Sequence, residues 1–179
     1  MRHLLAVTLK SPDPAAVTAL GALAGFMPQS APSAILRYDL WEFESEGDRD
    51  AVLETVGCYP DILNPNKQRG IFLDAGLPPL PPGDLVWAGV RVEEVSSGAS
   101  ETWTRLLSRS PACITSVNVS VLWLLGYPAG TSRADASARA AEVSVAVDRK
   151  RGLLANPVSQ RACVVEAGMP GPDGAGSEA

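Results

Sequence analysis

Short apolar runs alternate with helical stripes along this chain, and one order of them occurs twice. His3 to Leu9 is largely apolar and predicts a strand. In the following Ser11-Pro12-Asp13-Pro14, Asp13 is placed to cap a helix and Pro14 suits its first turn. Val17, Leu20 and Leu23 or Ala24 give that helix its apolar stripe. A long strand is predicted from Ile35 to Glu44, where Leu36, Tyr38 and Leu40 alternate with Arg37 and Asp39 before the phase flips to Trp41 and Phe43. Such a flip predicts a bulge or a tight bend. A second helix spans about Asp48 to Cys58 with Val52, Leu53 and Val56 inward, and Gln68 to Asp74 forms the last strand of this half.

The second half follows the same order. Leu85 to Val95 predicts a strand, and Ser100 to Ser108 a helix with Trp103, Leu106 and Leu107 on its inner face. The strand from Ile114 to Leu125 alternates Val117, Val119 and Val121 with Asn118 and Ser120, then becomes continuously apolar at Leu122-Trp123-Leu124. Ser132 is placed to cap an Ala-rich helix with the stripe Ala136, Ala140, Val143, Val147 and Leu154, ended by Asn156-Pro157. Gln160 to Glu166 closes the unit.

The segments that end the two halves also match residue by residue. Ile62 to Gly76 aligns with Leu154 to Gly168 without a gap, and Asn-Pro, Gln-Arg and Ala-Gly recur in place, six identities in fifteen positions. This predicts an internal duplication. Its parts are a first unit over residues 1–76, a Pro-rich linker over 77–84, a second unit over 85–168 and a disordered tail over 169–179. Each unit reads as strand, helix, long strand, helix, strand, an α+β arrangement of the ferredoxin-like kind with helices on one face of a small antiparallel sheet. A unit this small leaves its other face in need of cover. Packing the halves sheet to sheet, or edge to edge into a longer sheet, answers that need within one chain, and an internal pseudo-dimer is the expected fold.

Composition narrows the chemistry. The chain has 179 residues with a net charge of −5 and 46% apolar residues, enough for a real core and without the basic excess of a nucleic-acid binder. Its single histidine, His3, disfavours His-based triads and His-rich metal sites. Cys58, Cys113 and Cys163 are too few and too widely spaced for a disulfide framework or a paired zinc site, and Cys113 and Cys163 read as buried small hydrophobes. No targeting signal or membrane span is read, so a cytoplasmic chain is expected. Phosphate-binding, nucleophile-elbow and zinc-protease motifs are missing from the sequence. No catalytic residue, cofactor or metal is expected.

The candidate binding residues are those the two halves share. Asn64-Pro65 and Asn156-Pro157 read as helix ends. Just beyond them, Gln68-Arg69 and Gln160-Arg161 offer an amide and a guanidinium that suit a carboxylate or a protein partner, and strand residues facing water explain them equally well. Trp41 and Trp123 hold equivalent places and read as core or inter-half packing ahead of a ligand platform. Asp148-Arg149-Lys150-Arg151 reads as a solvated face near a helix C-terminus.

Leu153-Leu154-Ala155-Asn156-Pro157-Val158, between a helix and a closing strand, resembles the C-terminal signature of the PurS family, the small subunit of phosphoribosylformylglycinamidine synthase. The resemblance extends to Val7-Thr8-Leu9-Lys10 with Asp13-Pro14, to Ile35 to Glu44 and to Asp48-Arg49-Asp50. It implies a minimal α+β unit without catalytic residues that associates in pairs and bridges an ATP-using synthetase subunit and a glutaminase subunit. A tandem chain would imitate the fused pair of such units in the single-chain synthase. The first half departs from the pattern, with Leu63-Asn64-Pro65-Asn66 in place of Leu-Ala-Asn-Pro, and the second lacks the Lys and Asp-Pro after its first strand.

Two functions follow as expectations. One is a non-catalytic assembly subunit for a purine or purine-like amidotransferase complex, with a further homodimer compatible with the sequence and no nucleic-acid or membrane partner. The alternative is an independent small-molecule enzyme or binding protein that uses the groove between the halves.

Overall fold

In a computed structural model, which describes residues 1–74, 77–96, 98–146 and 152–165, the elements alternate as the sequence predicts. They run β1 (Arg2–Leu9), α1 (Pro14–Phe26), β2 (Ala34–Ser45), α2 (Arg49–Gly57) and β3 (Gln68–Leu73), then β4 (Val86–Glu94), α3 (Gly98–Leu107), β5 (Ile114–Tyr127), α4 (Arg133–Ser144) and β6 (Gln160–Val165). Three helices start at side-chain caps, two of which, Asp13 and Ser132, are read from the sequence. The Asp13 carboxylate accepts from the Ala15 amide at 2.8 Å, Asp48 from Ala51 at 2.9 Å, and the Ser132 hydroxyl from Asp135 at 3.0 Å.

All six strands form one antiparallel sheet in the order β3-β1-β2-β5-β4-β6. The fold is α+β, and the halves meet edge to edge through β2 and β5 rather than sheet to sheet. One row of partners across the sheet reads Gly70, Val7, Asp39, Val121, Val92, Ala162. Outward from Asp39 and Val121 the pairings correspond on both sides, so that Leu5 faces Trp41 as Val90 faces Trp123.

Alternation along each strand assigns the side chains to two faces. One face carries the helices and two core clusters. The first joins Ala16, Ala19 and Leu23 of α1 to Val90 of β4 and to Ala136, Ala140 and Val143 of α4. The second joins Leu5 and Val7 of β1 and Val52 and Val56 of α2 to Leu107 of α3 and Val117 of β5. Each cluster therefore takes one helix from each half, the first drawing most of its residues from the second half and the second most of its residues from the first. The helix-free face carries a third cluster of Ala6, Tyr38, Leu40, Leu73, Leu122 and Leu124, with Leu77 and Trp87 packed against it.

The Pro-rich connector thus lies partly on the sheet. Leu77 packs so closely over β4 that a Cβ added to Gly89 would stand 2.9 Å from its Cδ2, and Pro78 is buried. Glycine at position 89 makes that approach possible.

Several local expectations are corrected. No bulge lies at the Leu40/Trp41 phase flip, because β2 keeps one register with β5 until a shift at Glu44/Ser45. The flip arises because both sheet faces are buried at the centre: Tyr38 and Leu40 point to one, Trp41 and Phe43 to the other. Val17, Leu53 and Leu106 are exposed, since the helices dock through neighbouring, mostly smaller residues such as Ala16, Ala19 and Val52. Helix α4 ends at Ser144, where Val145 turns extended and bridges Ala155 in parallel, so Leu154 lies beyond it. Cys113 and Cys163 are exposed, Cys163 because its side chain points to the helix-free face from an edge strand. Val147, the 148–151 charge cluster and the tail at 169–179 lie outside the described residues.

Candidate functional site

The matched segments form the same turn twice. Asn64 and Asn156 do not end helices; each opens a tight turn into an edge strand. The Asn64 side chain accepts from the Asn66 amide at 3.0 Å, and Asn156 accepts from Val158 at 3.0 Å. The Asn64 carbonyl accepts from Gln68 at 2.7 Å, and that of Asn156 from Gln160 at 2.7 Å. The Gln68 side-chain oxygen returns to the Asn64 amide at 2.7 Å, as Gln160 does to Asn156 at 2.9 Å. Proline following Asn fixes the turn without a donor to satisfy. The two glutamines are thus turn locks, and the Gln160 amide also donates to Glu94 at 2.8 Å.

Arg69 and Arg161, one residue on, point to the helix-free face and are exposed. They sit on β3 and β6, the two edges of the sheet, about 24 Å apart at five strand spacings. They do not converge on one ligand. Between them runs a charged ladder in which Arg2 pairs with Glu42 at 2.7 Å, Arg91 with Glu42 at 3.4 Å and Arg91 with Glu93 at 2.7 Å. Burial raises the Tyr38 hydroxyl above its usual pKa on this face, and Arg69 opposes that shift. At Cys163, partial desolvation raises the thiol, Glu93 adds to it and Arg91 opposes it, so the thiolate is scarce at neutral pH.

Trp41 and Trp123 lie on the helix side, one on either side of the central Asp39/Val121 pair of the β2–β5 seam. Trp41 is buried, stacked on Phe43 and met edge to face by Trp103. Trp123 is half-buried beneath α1, on the floor of an apolar groove of about 490 Å³ between α1 and the segment Leu153-Leu154. The Arg37 guanidinium lies 5.9 Å from the Trp123 ring and pairs with Asp39 at 2.6 Å and Asp13 at 3.4 Å. Burial raises the Asp39 carboxyl above its usual pKa, against the opposing pull of Arg37.

Nothing in the sequence marks Arg37, Asp39 or the α1 alanines as parts of a site, and Asp13 shows there only as a helix cap. Arg37 and Asp39 looked like the wet face of a half-buried strand. They occupy the helix side at mid-seam, which neither helix-side cluster includes. Among the described residues no three His, Cys, Asp or Glu side chains gather as a metal site would require, and no helix is long and apolar enough to cross a membrane. No protein-family model matches the chain, and neither the curated proteins nor the solved structures searched contain a match to it.

Proposed function

We propose that this chain is a non-catalytic assembly subunit of the PurS kind, two ferredoxin-like units fused in tandem as an internal pseudo-dimer. In this reading it works in the cytoplasm and bridges an ATP-dependent, amidine-forming synthetase and a glutaminase in purine or purine-like nucleotide synthesis. One observation carries the reading. The Asn156-Pro157 turn, which carries the resemblance, has the same hydrogen bonds and the same place beside an edge strand as the Asn64-Pro65 turn of the first half.

The arrangement presents two related docking positions, one per edge, with Arg69 at one and Arg161 at the other. Guanidinium groups suit carboxylates on a partner. Two unlike partners can be held at once because the halves differ in detail around a common frame.

Co-purification with candidate synthetase and glutaminase subunits tests the proposal. The expected result is a ternary complex whose glutamine-dependent turnover falls when this chain is left out, while ammonia-dependent turnover persists. Absence of a complex, together with unchanged glutamine-dependent turnover, would remove it.

A further inference from the structure

The β2–β5 seam is built alike and filled differently on the two sides of its central pair. On one side Trp41 lies beneath α3, where Trp103 meets it edge to face at 5.5 Å and Tyr59 meets Trp103 at 5.9 Å. On the other side Trp123 lies beneath α1. The two helices correspond residue by residue. Thr18 donates to the Pro14 carbonyl at 2.8 Å and Thr102 to that of Gly98 at 2.7 Å, and buried Leu23 corresponds to buried Leu107. The shift that carries Thr18 to Thr102 and Leu23 to Leu107 carries Ala19 to Trp103. The shift that relates the Asn-Pro turns likewise carries Ile62 to Leu154, both buried.

Where one side holds an indole, the other holds a methyl group, and the groove is the space left over. Pro14, Ala15, Thr18 and Ala19 wall it, with Trp123 and Leu154 beneath. Its volume lies in the range of small-molecule sites. The Trp123 ring is braced by Arg37, itself held by Asp13 and Asp39, so a ring surface is kept available rather than collapsing into the gap.

We infer that this groove binds a planar, bicyclic aromatic small molecule of low polarity, of indole size, seated against Trp123 as Trp103 is seated against Trp41. Edge-to-face packing of the two ring systems supplies the orientation, and the alanine wall supplies close apolar contact. This goes beyond the assembly role and does not depend on it.

Indole is the probe, titrated into the full-length chain and followed by amide and indole N–H signals in NMR. The expected shifts centre on α1 and the Trp123 ring and leave Trp41 and Trp103 unmoved. Ala19→Trp, which fills the groove from the helix as Trp103 does, weakens binding about tenfold or more. Should that variant not fold, Ala22→Leu narrows the same groove and serves in its place. Three results would overturn the inference: no shift at millimolar indole, equal affinity in the filled variant, or equal shifts at Trp41. A tryptophan peptide that shifts the α1 signals where free indole does not would overturn it too, in favour of a protein contact.

Discussion

Asp39 and Val121 stand opposite each other at the centre of the sheet, and the pairings outward from them correspond on the two sides. Helices α1 and α3 cover the two ends of this seam, and Arg37 and Asp39 occupy the stretch between them. The strand pairing of β2 with β5 and the shared helix-side clusters bind the halves together.

Each helix-side cluster draws one helix from each half, so separating the halves should strip both of core contacts. Fragments 1–84 and 85–179, expressed separately, are expected to show little cooperative unfolding by circular dichroism. Mixed in equal amounts, they are expected to recover a cooperative transition and the elution volume of the intact chain. Two independently cooperative fragments would contradict the shared core.

Leu106 and Leu107 are neighbours on α3 with opposite surroundings, 48% and 0% exposed. Leu107→Ala should cost about 3 kcal/mol, the usual range for a fully buried leucine. Leu106→Ala should stay within about 0.5 kcal/mol. Urea unfolding of the two variants measures both.

The turn locks contribute separately, and Gln160→Ala also removes the amide bond to Glu94. Gln68→Ala and Gln160→Ala each remove a side-chain bond to a backbone amide, at about 1 kcal/mol each. They lie on opposite sheet edges, so the double variant should lose close to the sum. Chemical denaturation of the three proteins provides the check.

The Tyr127 hydroxyl is buried without a hydrogen-bond partner, and burial pushes its pKa from 10.0 up to about 12. Arg139 opposes that shift and Glu142 adds to it. Below pH 10 both folded and unfolded chains keep this proton, so the group adds no pH dependence there. From about pH 10 to 12 the unfolded chain releases it first, and stability falls as pH rises, by roughly 2 to 3 kcal/mol at most. Tyr127→Phe should be as stable as the wild type or more so at pH 8. It should also lose stability less steeply above pH 10, as urea titrations at the two pH values would show.

The order of elements and the caps at Asp13 and Ser132 were legible in the sequence, because capping and apolar periodicity are local. The turn at Asn64 was visible only as a recurring string, and the bond from Gln68 back to the Asn64 amide spans too few residues to leave a periodic trace. The face of β2 was harder to read. Leu36, Tyr38 and Leu40 are apolar because the sheet centre is buried on both sides, so alternation could not tell which face the helices cover. The groove was illegible for a related reason. Ala19 is an ordinary helix residue until it is set beside Trp103, its counterpart across the seam.

Sharing of helices between the clusters also shapes synthesis. Ala16, Ala19 and Leu23 leave the ribosome long before the residues of α4 that will cover them. Until then the nascent chain carries an uncovered apolar stripe, and it must stay soluble without its final tertiary contacts. A translational pause after β3 would lengthen that exposure.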